Sequence, residues 1–211
     1  MSLPKIFIIG DSISIQYGPN LEKLSPGKFE YARKTGSEEA LKNLDIPVGA
    51  NGGDSSRVLE YIQALVRAEF QADLVLLNCG LHDLKLEIDK LQVPTELYEA
   101  NLKAIASLLN EKKIKTAWIK TTPVNDKIHA EEKPFLRRMQ EVDTYNKIAD
   151  KVMSEAGFDL IDLYTFTLNL GGGLTTDGIH PDLTYDGVHF DVPTQEKQAA
   201  FIAGWLDMKL A

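Results

Sequence analysis

The chain carries one cysteine in 211 residues, fewer cationic side chains (23) than anionic ones (31), and no apolar run near the roughly 20 residues that cross a bilayer. Each shortage closes a class of explanation. A lone Cys79 cannot form an intrachain disulfide, and in its apolar surroundings a thiol behaves as a small core residue. The net charge of −8 sets the surface against phosphate backbones and anionic lipid, so neither nucleic acid nor a membrane is expected as partner. Residues 1–10 are too short for a secretory signal and show no cleavage pattern, which gives a cytoplasmic expectation. A leader trimmed ahead of Met-Ser-Leu would change that address to periplasmic or secreted. No low-complexity tract, solenoid repeat or glycine-rich phosphate loop is present, which removes disorder, repeat architectures and most nucleotide binders.

What is present is an alternation of short apolar runs with longer segments of helical period, the pattern of βαβ units. The runs are KIFIIG (5–10), a weaker IPVGA (46–50), DLVLLNCG (73–80), KTAWIKTT (115–122) and FDLIDLY (158–164). Most lack in/out alternation, as strands covered on both faces do. Between them, residues 55–70 place Val58, Ile62, Leu65 and Val66 at helical spacing behind serines able to cap. Residues 94–113 do the same with Leu102, Ile105 and Leu109 behind Thr95, residues 137–157 end on Gly157, and a last helix follows Thr194. The expected fold is α/β, one domain over residues 1–211, with a five-stranded parallel sheet, doubly wound with helices on both faces. In such sheets ligands sit outside the C-terminal strand ends, at the switch in strand order.

Four short stretches lie at those ends or just before the last helix: Gly10-Asp11-Ser12, Asn51-Gly52-Gly53-Asp54-Ser55-Ser56, Gly80-Leu81-His82-Asp83, and Asp186-Gly187-Val188-His189-Phe190. In these blocks, and in their order, the chain resembles the SGNH/GDSL hydrolases, a superfamily of serine esterases on a flavodoxin-like sheet. The resemblance implies a nucleophile at Ser12, an Asp186–His189 pair completing the triad, and an oxyanion hole from the N–H groups of Ser12 and Gly53. It implies no cofactor. Chemistry asks for the same parts: a serine hydroxyl is a weak nucleophile until an imidazole accepts its proton, and a third group must orient the imidazole.

The match departs in two places. The family's third block is usually Gly-x-Asn-Asp, whereas His82 stands here in place of the asparagine that donates to the oxyanion. An imidazole can retain that donor, more strongly if protonated, or the exchange can abolish the donor or reshape the pocket. With the later Thr121-Thr122-Pro123, the Gly-Leu-His-Asp block resembles a subgroup of the superfamily, which favours retention. The second departure is a duplicated signal, for Asp177-x-x-His180 precedes Asp186-x-x-His189 at the same spacing. Adjacency to the closing helix favours the second pair. Asp177, His180, Asp182, Asp186 and His189 could also ligate zinc or manganese, but no recognisable ligand spacing appears, so no metal is expected. Asp11 and Asp83 are expected to brace loops, Asn51 and Asp54 to order the Gly53 loop, and the glycines at 171–173 to form a flexible segment.

The expected activity is removal of a small acyl group, such as acetyl from a carbohydrate. Alternatives are a lipase- or thioesterase-type hydrolase and a catalytically weakened carbohydrate-binding member of the same fold. If the second Asp-x-x-His pair supplies the base, His189→Ala abolishes hydrolysis of an activated ester while His180→Ala retains it; the reverse pattern reassigns the base.

Overall fold

The apolar, β-branched run at Lys5–Ile9 forms β1 and leads through Gly10 and Asp11 into helix α1 (Ser12–Lys23) in the computed structural model, which describes residues 2–210. There follow β2 (Glu30–Arg33), α2 (Ser37–Ala40), α3 (Ser55–Arg67) and β3 (Leu74–Leu77). A small hairpin, β4 (Leu86–Glu87) and β5 (Lys90–Leu91), precedes α4 (Thr95–Glu111), β6 (Thr116–Ile119), α5 (Asp126–Glu132) and α6 (Met139–Glu155). The chain closes with β7 (Asp159–Ile161), α7 (Leu163–Leu170) and α8 (Val192–Leu210).

Five strands pair in the order β2-β1-β3-β6-β7, all parallel, with Ile8 between Arg33 and Leu76 in register. This is the flavodoxin-like order, and its switch point lies between β1 and β3, where the chain turns first to one side of β1 and then to the other. Helices α1, α8 and α7 pack in one group, and α3, α4 and α6 in another. Their apolar faces and the central strands bury Ile6, Ile8, Leu76, Leu77 and Trp118 almost completely.

The second strand corrects the sequence reading. Residues 46–50 are a loop, held by Val48 N–H to Ile46 O and Asn51 N–H to Val48 O. The strand is Glu-Tyr-Ala-Arg at 30–33, an edge strand that is half-buried and so needs no apolar run. Consequently the Gly53 stretch follows a long loop instead of a strand. The caps also differ. Asp11 caps α1 by accepting from Ile13 N–H at 3.0 Å, and Asp54, not a serine, caps α3 through Arg57 N–H at 3.0 Å. Pro94 precedes α4 with Thr95 as its first residue, while α8 begins at Val192. The run at 158–164 is strand only to Ile161, after which Asp162 caps α7 by accepting from Thr165 N–H. Gly171-Gly172-Gly173 then close α7, with Gly173 N–H bonded to Leu168 O.

The loop carrying Asp186 and His189 is pinned from the side by residues 124–129. Asn125 N–H bonds Gly187 O at 2.7 Å, its side-chain amide reaches Ile179 O, and Ile179 N–H bonds Val124 O. Gly187 has φ +83°, and a Cβ there would lie 2.5 Å from His129 N and 2.7 Å from Asn125 O. No side chain fits without moving backbone. Gly187→Ala is expected to lower stability by at least about 2 kcal/mol, read as a shifted urea midpoint. An unchanged midpoint would mean the loop relaxes freely.

Candidate active site

Because Asp11 takes the cap, Ser12 becomes the first residue of α1, where a backbone N–H has no intrahelical acceptor and the helix dipole favours negative charge. One turn later on the same helix, Gln16 reaches the far end of the chain: its Oε1 accepts from Phe190 N–H at 3.2 Å and its Nε2 donates to Tyr185 Oη at 3.1 Å. This tie brings the loop before α8 against α1, and with it the imidazole. His189 Nε2 lies 2.9 Å from Ser12 Oγ, and His189 Nδ1 lies 2.7 Å from Asp186 Oδ2.

The Asp186 carboxylate is saturated with donors. Oδ1 accepts from the N–H groups of Val188 (3.1 Å) and His189 (2.8 Å), while Oδ2 accepts from His189 Nδ1 and from Lys133 Nζ at 3.1 Å. Burial pushes its proton affinity up, but the bonds from His189 outweigh burial and hold the carboxyl well below the usual range. An ionised Asp186 accepts only, so Nδ1 of His189 carries the proton and Nε2 is free to accept from Ser12. A second histidine steadies the same loop: buried His129 is pushed down to about 4 by burial, and its neutral ring donates from Nδ1 to Asp186 O at 3.1 Å.

The other pair does not meet Ser12. Exposed Asp177 uses its carbonyl to accept from Asp126 N–H, and the half-exposed His180 ring caps the 3₁₀ turn Pro181–Leu183 by accepting from Asp182 N–H. Among the described residues, no group of three His, Cys, Asp or Glu side chains stands close enough to hold a metal ion.

The three oxyanion candidates differ in readiness. Ser12 N–H, at the first position of α1, has no acceptor within the helix. Gly53, at φ +74°, already donates its N–H to Asn51 Oδ1 at 3.0 Å, so this N–H must be shared to serve a substrate. Asn51 is in turn anchored through its amide to Leu44 O. Buried His82 makes no side-chain hydrogen bond among the described residues, and burial, aided by the charge of Arg137, pushes its imidazole down to about 3. The ring is therefore neutral, which removes the charge-assisted donor considered from sequence and leaves an ordinary N–H. Asp83 braces the block from below, its two carboxyl oxygens lying 2.8 and 3.0 Å from the Ser55 N–H they accept from. Asp11 likewise serves the backbone, though its Oδ2 is buried without a partner.

Lys133, Asp45, Asn125, His129 and Gln16 were not among the residues singled out from sequence. Gln16 alone leaves a signal there, since it stands one helical turn from Ser12. Asp45 lies in the loop after α2, and Asn125, His129 and Lys133 lie in or at the ends of α5, so their neighbours are remote in sequence and only folding supplies them.

Residues 8–190 match the profile of the GDSL-like lipase/acylhydrolase family. Among curated proteins, none matches the chain. Solved structures that resemble it include an acetyl xylan esterase (18% identity, TM-score 0.69, covering 95% of this chain and 98% of that one). A lipase/acylhydrolase from Enterococcus faecalis is 18% identical at TM-score 0.68, over 99% of this chain and 98% of that one. A GDSL-like lipase from Bacteroides thetaiotaomicron is 16% identical at TM-score 0.68, over 98% and 89% respectively. At such identities these likenesses speak to the fold.

Burial raises the Asp83 carboxyl to about 8 against the opposing bonds from Ser55. Its folded value lies above the roughly 3.9 of an unfolded chain, so the folded state binds the extra proton. The associated stability is complete below about pH 4 and is lost as pH rises through 8. Asp83→Asn should reduce the fall in unfolding free energy between pH 5 and pH 8 by at least about 1 kcal/mol. Identical pH dependence in both proteins would show that Asp83 stays ionised.

Proposed function

Because the chain belongs to the GDSL-like lipase/acylhydrolase family and is an ester-hydrolysing enzyme, we propose that it removes small acyl groups, acetyl foremost, from carbohydrate esters through an acyl-enzyme on Ser12. The observation that carries this reading is the unbroken bond path from Ser12 Oγ to His189 to Asp186. Ser12 attacks the ester carbonyl as His189 Nε2 takes its proton. The carbonyl oxygen becomes an oxyanion held by the N–H groups of Ser12 and Gly53 with His82 assisting. His189 then returns the proton to the departing alkoxide, and water, activated by the same imidazole, releases the acid and restores Ser12.

Two features support the substrate class. Ser12 is only 3% exposed, which suits a short acyl chain. Tyr185 is 55% exposed, and its ring lies within 20° of parallel to the His189 imidazole at 6.0 Å. Such a face, apolar with a polar edge, matches the C–H face of a sugar ring next to the base. The acetyl xylan esterase among the similar folds acts on an ester of that kind, as its name states.

Hydrolysis of p-nitrophenyl acetate should fall by at least about a thousandfold in Ser12→Ala. The octanoate should be the poorer substrate by kcat/KM. Equal, near-background rates for parent and Ser12→Ala would favour a binding protein over an enzyme. For the third block, His82→Asn should retain substantial activity while His82→Ala loses about a hundredfold, and full activity in the alanine variant would remove His82 from the oxyanion hole.

A further inference from the structure

Behind the triad lies a chain of alternating charges that the reaction as described does not use. Lys133, the C-cap residue just past α5, extends its ammonium between two carboxylates, 2.7 Å from Asp45 Oδ2 and 3.1 Å from Asp186 Oδ2. The other oxygen of Asp45 takes Arg137 Nη1 at 3.1 Å, and Arg137 Nε donates to Leu81 O at 2.7 Å. Arg137 is buried, whereas Lys133 and Asp45 are partly exposed, so water screens the Arg137 end of the path least. The path Arg137–Asp45–Lys133–Asp186–His189–Ser12 links the backbone of the His82 block to the nucleophile.

We propose that Lys133, held in place by Asp45, is a positioning residue of the triad: it clamps Asp186 Oδ2 and sets the pH range over which His189 acts as base. The proposal rests on the assignment of Ser12, His189 and Asp186 as triad. Oδ2 is shared between the imidazole N–H and the ammonium. A cation there draws carboxylate charge away from the imidazole, so the imidazolium that forms on taking the proton from Ser12 is less favoured at rest. Asp45 opposes this by neutralising part of the ammonium charge and fixes where the ammonium sits. Burial pulls the Lys133 ammonium down, but the bonds to Asp45 and Asp186 more than reverse this, so it remains charged.

The other groups facing His189 are accounted for. Asp186 shares its loop and the Tyr185 phenol stacks on it. Ser12 and Asp11 approach from the start of α1, Asp45 from the loop after α2, and neutral His82 from the loop after β3.

The test is the pH dependence of kcat/KM for p-nitrophenyl acetate in the full chain, with Lys133→Met, Lys133→Arg and Asp45→Asn. Loss of the cation in Lys133→Met should move the acid limb up by about one pH unit, and Lys133→Arg should restore it. Loss of the anion in Asp45→Asn should move the limb down. Opposite directions from two neighbouring changes are not produced by loosening of structure. Coincident limbs for Lys133→Met and parent, or shifts of the same sign in both variants, would overturn the proposal. The His189 imidazole can also be titrated by NMR without substrate, assigned by difference from His189→Gln, and should shift in the same directions. Absence of Ser12-dependent turnover would therefore count against the proposed function, whereas unmoved imidazole titrations would count against the role of Lys133. Should Lys133→Met fail to fold, the sign of the Asp45→Asn shift decides.

Discussion

A single carboxylate organises this site. Asp186 takes two backbone N–H groups on one oxygen, and an imidazole and an ammonium on the other. The first pair folds the loop back on itself so that the residue three places on stands over its own anchor. The second pair fixes which nitrogen of His189 bears the proton. Without an ionised Asp186 neither the loop shape nor the tautomer is determined, and Ser12 loses its acceptor. Hydrogen bonds to a buried anion are stronger than those between neutral groups, so this arrangement can hold where water is largely excluded.

The rest of the architecture delivers ligands to that carboxylate and the Ser12 hydroxyl to its imidazole. The switch between β1 and β3 opens a crevice at the strand ends, and the start of α1 points Ser12 into it. Gln16 draws the loop before α8 toward the same helix. Asn125 and His129 hold that loop from the other side, so closely that only glycine fits at position 187. Asp83 and Asn51 shape the two loops that flank the reacting atoms through bonds to backbone N–H groups. Many of the polar groups around Ser12 are thus acceptors for main chain, which leaves few mobile dipoles to rearrange when charge develops.

How far the residues could be read in advance depended on burial. Central strands such as Leu74–Leu77 and Thr116–Ile119 are legible because both faces are covered and the composition must be apolar. Edge strand Glu30–Arg33 is not, since a half-buried strand tolerates Glu and Arg, and the more apolar 46–50 stood out in its place. The cap of α3 was misassigned because Asp54 and Ser55 adjoin there and either can cap; the choice falls on the side chain that the loop geometry aims at the first turn. In the site, Ser12, Asp186 and His189 were legible as motif members. Lys133 and Asp45 were not, being ordinary charged residues that 88 positions separate until the chain folds.

The amino-acid order by itself determined the alternation of strands and helices, the parallel doubly wound class, and the local Asp-x-x-His turn, because each follows from periodicity or from contacts a few residues apart. Tertiary structure decided which of two equally spaced histidines meets Ser12, that burial keeps His82 neutral, that Gly53 is already engaged with Asn51, and that an ammonium stands beside Asp186. Those outcomes depend on desolvation and on distances between segments remote along the chain, and neither quantity exists until the sheet has brought its loops to one rim.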